Sequence, residues 1–332
     1  MDIRSTASRK WFARFAWAVL AYNIPVILWG AYVRVSFSGD GCGANWPLCG
    51  GGGQVIPHHM ATPRLIEFTH RVMTGGDLVI AIGMLLWAFL AFEKRHSVRR
   101  YASSSLAFLL IEALLGAGLV LFRLVAKDQS AGRAWYLSMH LTNTLLLLGA
   151  LTATAWAAYR NRAQSRIFSA PRSVIAGTAV AILVSVTGAI AALGDTLYPA
   201  SSITGGLQQD FSAASSTLLR LRVFHPAVAI AGAAYLVWMS VQFLKRDEQS
   251  PARRAAIRVL ILALFQVLAG AINISLLAPA WMQLFHLLAA DALWIGIVLL
   301  VLDSTRTWAL TPDLQLPREQ TTPHLPERSW SR

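Results

Sequence analysis

Long apolar stretches alternate along this chain with short polar ones. Runs long enough to cross a hydrocarbon core of about 30 Å, which takes roughly 20 helical residues, occupy about residues 11–33, 65–92, 101–123, 134–159, 173–194, 217–244, 256–278 and 281–303. The pattern predicts eight transmembrane helices and an all-α integral membrane protein. The first run is too long for the apolar part of a cleaved signal peptide, and no convincing small-residue cleavage site follows it, so it is read as the first helix. Composition agrees, since 55% of the 332 residues are hydrophobic and 14% charged, far from the balance of a soluble globular domain.

The polar positions set the orientation. Loops rich in lysine and arginine are retained on the cytoplasmic side, and 21 of the 29 basic residues fall in the N-terminal stretch, in the loops after every second helix, and in the tail. The groups are Arg4 to Arg14, Lys94 to Arg100, Arg160 to Arg172, Lys245 to Arg258, and four tail arginines. Both termini are therefore expected in the cytoplasm. The net charge of +13 is accounted for by this asymmetry, so nucleic acid is not an expected partner and membrane lipid is. Residues 306–332 are polar and proline-rich without helical period, and are expected to form a disordered cytoplasmic tail.

Four histidines interrupt the apolar runs: His70, His140, His225 and His286. Each falls in the first two turns of an even-numbered helix, which places all four near the outer surface. An imidazole in hydrocarbon needs a partner. One such residue is best read as packed and hydrogen-bonded to a neighbouring helix, but four at matched positions point to metal. Zinc usually takes three or four ligands with a carboxylate or thiolate among them, whereas porphyrin iron takes one or two axial imidazoles across a bundle. Two histidines per bundle fit haem better.

The matched positions belong to an internal duplication. Gly30-Ala31 corresponds to Gly188-Ala189, and Glu112 with Gly116-Ala117 corresponds to Gln266 with Gly270-Ala271. His70 then matches His225, and His140 matches His286. The expected architecture is two pseudo-symmetric four-helix bundles, residues 1–160 and 161–305, related by an axis along the membrane normal. Small residues at the matched Gly-Ala pairs allow close helix approach.

The outer segment 34–64 holds both cysteines, Cys42 and Cys49, on the side where disulfides persist. A bond between them would contribute about 2–3 kcal/mol as a staple; a redox role is the alternative. Glu67, three residues before His70, lies on the same side of its helix. It could exchange a proton with a haem pocket or simply complement the helix N-terminus. Two intramembrane acids, Glu112 and Asp291, need partners. The alignment of Glu112 with Gln266 suggests an interhelical hydrogen bond, and Asp291 is assigned to packing or oligomer contacts. His58 and His59 are expected to be exposed, His324 solvated, and His96 has no assigned task.

Several motifs together resemble the haem A synthase family: Gly30-Ala-x-Val-Arg34, Cys42 with Trp46-Pro47-Leu48-Cys49, Glu67 with His70-Arg71, and one histidine on every even helix. The resemblance runs from the first helix through the eighth. It implies a bacterial cytoplasmic-membrane oxidoreductase that converts the C8 methyl group of haem O to a formyl group through a hydroxymethyl intermediate, with water as oxygen source. It further implies that His70 and His140 ligate the substrate haem O, that His225 and His286 ligate an electron-carrying haem B, and that Glu67 is the essential acid. Cys42 and Cys49 would form a disulfide near the substrate pocket. Arg71, Arg220 and Arg222 become candidate propionate contacts. The pathway implies a haem O synthase (a farnesyltransferase) and a terminal oxidase as partners, and a homo-oligomer is allowed. Many relatives carry a second cysteine pair between the fifth and sixth helices, but residues 195–216 contain none. Pro226 follows His225 where the first half has Arg71. The rival readings are a di-haem b-type electron carrier and a haem-delivery protein that leaves the porphyrin unoxidised.

Overall fold

The computed structural model describes residues 6–49, 61–161, 170–212 and 217–308. His58 and His59, and the tail from residue 309 with His324, lie outside the described residues. The described helices are α1 (Thr6–Val35), α2 (Thr62–Ala91), α3 (Ser97–Leu121), α4 (Ala131–Arg160), α5 (Arg172–Leu197), α6 (Ile203–Phe211), α7 (Thr217–Leu244), α8 (Pro251–Ser275) and α9 (Ala280–Trp308). All except the short α6 are long and apolar enough to cross a membrane, which matches the eight expected spans. Large apolar side chains such as Val79, Leu114 and Ile230 point outward and are more than half exposed, as a lipid surrounding requires.

Local chemistry explains several helix starts. Ser130 Oγ accepts the Arg133 backbone N–H at 3.2 Å and donates to Asp128 Oδ2 at 2.6 Å, an N-cap braced from outside α4. Proline stands in the first turn of α2 and of α8, where its missing N–H costs nothing. His96, which the sequence left without a task, caps α3: its Nδ1 accepts the Val98 N–H at 3.3 Å.

The helices form two rings. In the first, α1 packs on α2, α2 on α3, α3 on α4, and α4 back on α1; in the second, the same cycle runs α5, α7, α8, α9. The histidine-bearing α2 and α4 thus stand diagonally in one ring, and α7 and α9 diagonally in the other. The rings meet chiefly through α4 and α9, with α1 and α5 beside them. The α4 segment from Asn143 to Ala158 is almost wholly buried and rich in Ala and Thr, small residues that let backbones approach when lipid supplies no hydrophobic drive. Its Thr152 and Thr154 hydroxyls donate to carbonyls one turn back. Two indoles tie α4 to α9: Trp294 Nε1 donates to Leu145 O at 2.7 Å, and Trp156 Nε1 to Asp303 Oδ1 at 3.1 Å.

The sequence pattern missed α6. It is amphipathic, with Ile203, Leu207 and Phe211 exposed on one face and Gly206 and Asp210 buried on the other. Asp210 anchors it through Arg222 of α7, Nη2 to Oδ1 at 2.5 Å.

Candidate functional site

All four histidines sit at one end of the molecule, each against the last turns of the preceding membrane-spanning helix. A Cβ placed on Gly30 would stand 3.0 Å from His70 Cε1, and one on Gly188 3.0 Å from His225 Cε1. On Gly270 it would stand 3.2 Å from His286 Cε1, and on Gly116 4.0 Å from His140 Cε1. The glycines of the matched Gly-Ala pairs are therefore seats for imidazole rings: a Cβ at three of them makes a tight contact that the histidine would have to relieve by a few tenths of an ångström.

His70 and His140 stand on the diagonal helices α2 and α4, and His225 and His286 on α7 and α9. His70 lies within electrostatic range of His140 and Glu112, and His225 within range of His286. Each histidine starts about 9 to 14 Å along its helix, at 1.5 Å rise per residue. His225 Nδ1 lies 3.1 Å from Thr187 Oγ1, and His140 Nδ1 lies 3.2 Å from Glu112 Oε1. The Nδ1 atoms of His70, His140 and His286 are buried without a hydrogen-bond partner among the described residues, that of His140 lying near Glu112 but outside hydrogen-bond geometry. Nor does any described cluster of three or more His, Cys, Asp or Glu offer a ligand set for a bare metal ion. Imidazoles on diagonal helices, seated on glycines, are a donor set that would suit an iron porphyrin, which brings its own equatorial ligands.

The outer loop is strapped onto the start of α2. Cys42 and Cys49 form a disulfide with Cα atoms 4.6 Å apart, and both are nearly fully buried. The Cys42 backbone N–H donates to Glu67 Oε2 at 2.8 Å, and Arg71 Nη2 donates to Glu67 Oε1 at 2.5 Å. The other Arg71 terminal nitrogen reaches the carbonyls of Asn45 (2.7 Å), Leu48 (2.9 Å) and Pro47 (3.2 Å). Arg64 Nε holds Gly41 O at 3.1 Å. Gly41 itself lies so close to Pro63 that a Cβ would fall 2.5 Å from the proline carbonyl. Glu67 is thus buried, with both oxygens engaged, three residues before His70.

The three candidate propionate arginines are placed differently. Arg71 is occupied by Glu67 and the loop. Arg222 is held by Asp210, by Asp195 at 3.2 Å and by Tyr198 O at 3.1 Å. Arg220 lies on the exposed surface of α7.

Several residues of the site were not legible beforehand. Glu112 makes the interhelical hydrogen bond expected of it, to Asn143 Nδ2 at 2.5 Å and to the Thr144 hydroxyl, but its contact with His140 was unforeseen. A further intramembrane acid, Asp77, is 1% exposed and accepts from Asn23 Nδ2 of α1 at 2.9 Å, so counting only Glu112 and Asp291 was incomplete. Asp291 is 2% exposed within the single chain, which suits packing rather than oligomer contact. Arg34, noted only as part of a motif, crosses between the rings: it donates to Ala192 O at 2.7 Å, Thr196 Oγ1 at 2.8 Å and Gln283 Oε1 at 3.2 Å.

Fold and site together define a polytopic helical membrane protein with a histidine pair in each of two four-helix rings. Residues 13–298 match the family described as cytochrome oxidase assembly protein, COX15-CtaA, and the chain belongs to that family. Over 293 residues, 87% of its length, it is 40% identical to a Thermus thermophilus protein named protoheme IX farnesyltransferase, of which the match covers 47%. Proteins named heme A synthase from Exiguobacterium sp. and Staphylococcus haemolyticus are 35% and 34% identical, each over 114 residues, or 34% of this chain. These matches cover 37% and 36% of the two synthases. The chain thus spans under half the length of these curated relatives.

Proposed function

We propose that this chain is a haem A synthase, oxidising the C8 methyl group of haem O to a formyl group through a hydroxymethyl stage. The observation that carries this reading is the asymmetric furnishing of two similar rings. Both have a diagonal histidine pair, but the disulfide-bonded loop and Glu67 crown only the pair of the first ring. At the corresponding place, three residues before His225, the second ring has Arg222 paired with Asp195 and Asp210, and two like pockets furnished so differently suit one reactant and one electron carrier.

In this reading His70 and His140 hold the iron of haem O as substrate and orient its methyl group. His225 and His286 would hold haem B, which when bound supplies one-electron transfer. Conversion of the methyl to a formyl group with one water as oxygen source releases four protons and four electrons, and the electrons would leave singly by way of the second site to an external electron acceptor. Glu67, fixed by the Cys42 N–H and Arg71, is the group placed to accept a proton at its carboxylate. Burial of Glu67 beside the disulfide-bonded loop keeps that carboxylate from bulk water. The basic loops orient the histidine end toward the periplasm, with both termini cytoplasmic.

The name of the Thermus relative raises farnesyl transfer to protohaem as a second reading. The match covers 47% of that protein, so its name does not say which part of it this chain resembles. Four histidines on alternate helices are unexplained by that chemistry. The electron-carrier and delivery readings likewise leave Glu67 and its loop without a task.

The test is extraction of haems from a host that makes haem O, with and without this chain, followed by mass analysis. Hydroxylated and formyl porphyrins are expected only with the chain. Haem O alone in both cultures would reject the synthase in favour of a carrier or delivery protein.

A further inference from the structure

The two histidine pairs differ in what stands behind the imidazole of their second member. Behind His140, the Glu112 carboxylate lies 3.2 Å from Nδ1, and is itself fixed by Asn143 Nδ2 at 2.5 Å and by the Thr144 hydroxyl. Asn143 is anchored in turn on Phe108 O at 2.9 Å. The carboxylate accepts from an amide and a hydroxyl, which set its orientation, and it stands 3.2 Å from His140 Nδ1, close by that nitrogen but outside hydrogen-bond geometry.

Behind His286 the duplicate positions read Gln266, Ala289 and Ala290. Gln266 Nε2 donates to His286 O at 3.1 Å and lies 3.3 Å from His286 Nε2, and among the described residues no carboxylate stands within ion-pair distance of His286 as Glu112 does of His140. The second ring thus lacks the carboxylate and both groups that would steady it.

We infer that Glu112, steadied by Asn143 and Thr144, is a positioning residue that makes His140 a stronger donor to iron than His286, so the first ring favours ferric iron more than the second. This rests on the reading of the pairs as haem ligands. A carboxylate accepting the second ring N–H raises the basicity of a ligating imidazole, and a stronger axial donor stabilises the ferric state over the ferrous. The consequence is a built-in order of potentials, with the first site below the second.

The full chain, reconstituted with haemin in detergent, is titrated potentiometrically in two backgrounds. His225→Ala/His286→Ala leaves the first site, and His70→Ala/His140→Ala leaves the second. Glu112→Gln is expected to raise the first-site potential by about 59 mV, the one-electron equivalent of a tenfold change in ferric over ferrous preference, and to leave the second unmoved. Gln266→Glu is expected to lower the second-site potential in the opposite sense. An unmoved first site that keeps its haem in Glu112→Gln overturns the inference. If Glu112→Gln releases that haem, the Gln266→Glu arm decides: no downward shift overturns it. Absence of any low-spin haem in the unsubstituted chain overturns the ligand reading, and the inference with it.

Discussion

The backbone N–H of Cys42 donates to the carboxylate of Glu67 at 2.8 Å. A loop cysteine and a helix acid are thereby joined, and the disulfide holds the loop that carries this amide. Replacing Cys42 and Cys49 together by serine frees the loop to leave Glu67. A lost hydrogen bond to a charged group is worth about 1.5–3 kcal/mol, so product formation is expected to fall roughly 10- to 100-fold, with haem still bound. Haem extraction and mass analysis reads the loss. Unchanged yield would reduce the disulfide to a staple.

Replacing Glu67 by glutamine keeps an acceptor for Cys42 and Arg71 but removes the basic carboxylate. The variant is expected to bind haem normally and to make neither hydroxylated nor formyl porphyrin. Wild-type product levels would remove Glu67 from the chemistry.

Gly30 and Gly188 are expected to be intolerant of alanine. Each added Cβ meets an imidazole carbon at 3.0 Å, and such overpacking costs about 1–3 kcal/mol. Gly30→Ala should weaken haem binding in the first ring only, and Gly188→Ala in the second only. Gly75 meets nothing within 4 Å, so Gly75→Ala is the control, expected to be neutral or to stabilise by about 0.5–1 kcal/mol through helix propensity. Absorbance titration with haemin separates the three.

His96 gives the stability of the opposite end a pH dependence. Burial, reinforced by the nearby Arg9 charge and opposed by Glu93, lowers its pKa from the ordinary histidine value. The folded state therefore holds it neutral, with Nδ1 free to accept from Val98, while the unfolded chain takes up a proton near pH 6.5. More protons bound on unfolding means that stability is present above that pH and lost as pH falls below it. Acidification from pH 7.5 to 5 should lower the unfolding temperature, with up to about 1 kcal/mol at stake in the cap. His96→Asn, which retains a capping acceptor without titrating, should flatten that part of the profile.

Much of this architecture was legible in the sequence because membrane-spanning helices announce themselves by apolar length, and because histidines are conspicuous in such runs. The short α6 was not, since Ile203, Leu207 and Phe211 form a one-sided stripe over only nine residues within a polar connection. The spacing of Glu67 and Arg71, four apart on a helix, did contain the ion pair that the structure displays. Arg71 thus spends its charge on Glu67 and on loop carbonyls. The Glu112–His140 contact had no signal of its own, because sequence gives neighbours along a helix but not the rotation of one helix against another. Arg34 was hidden for the same reason, its side-chain partners Thr196 and Gln283 lying 162 and 249 residues away along the chain.

Arg34 is expected to govern the seam between the rings. Arg34→Ala removes three donors' worth of contact with α5 and α9, and at about 1.5–3 kcal/mol per charged hydrogen bond should lower the unfolding temperature measurably. Arg34→Lys should recover only part of it, because a single ammonium cannot reproduce the two-nitrogen fork.

The proposed chemistry requires imidazoles to pair within a ring, His70 with His140 and His225 with His286, to hold one porphyrin iron each. Haemin titration of the purified chain, with low-spin absorbance as readout, tests this through alanine variants taken in pairs. Two haems should bind to the unsubstituted chain, one to His70→Ala/His140→Ala, and one to His225→Ala/His286→Ala, whereas the cross-ring variant His70→Ala/His225→Ala should retain no bis-histidine site. A cross-ring variant that kept a full low-spin site, or an unsubstituted chain that formed none, would contradict it.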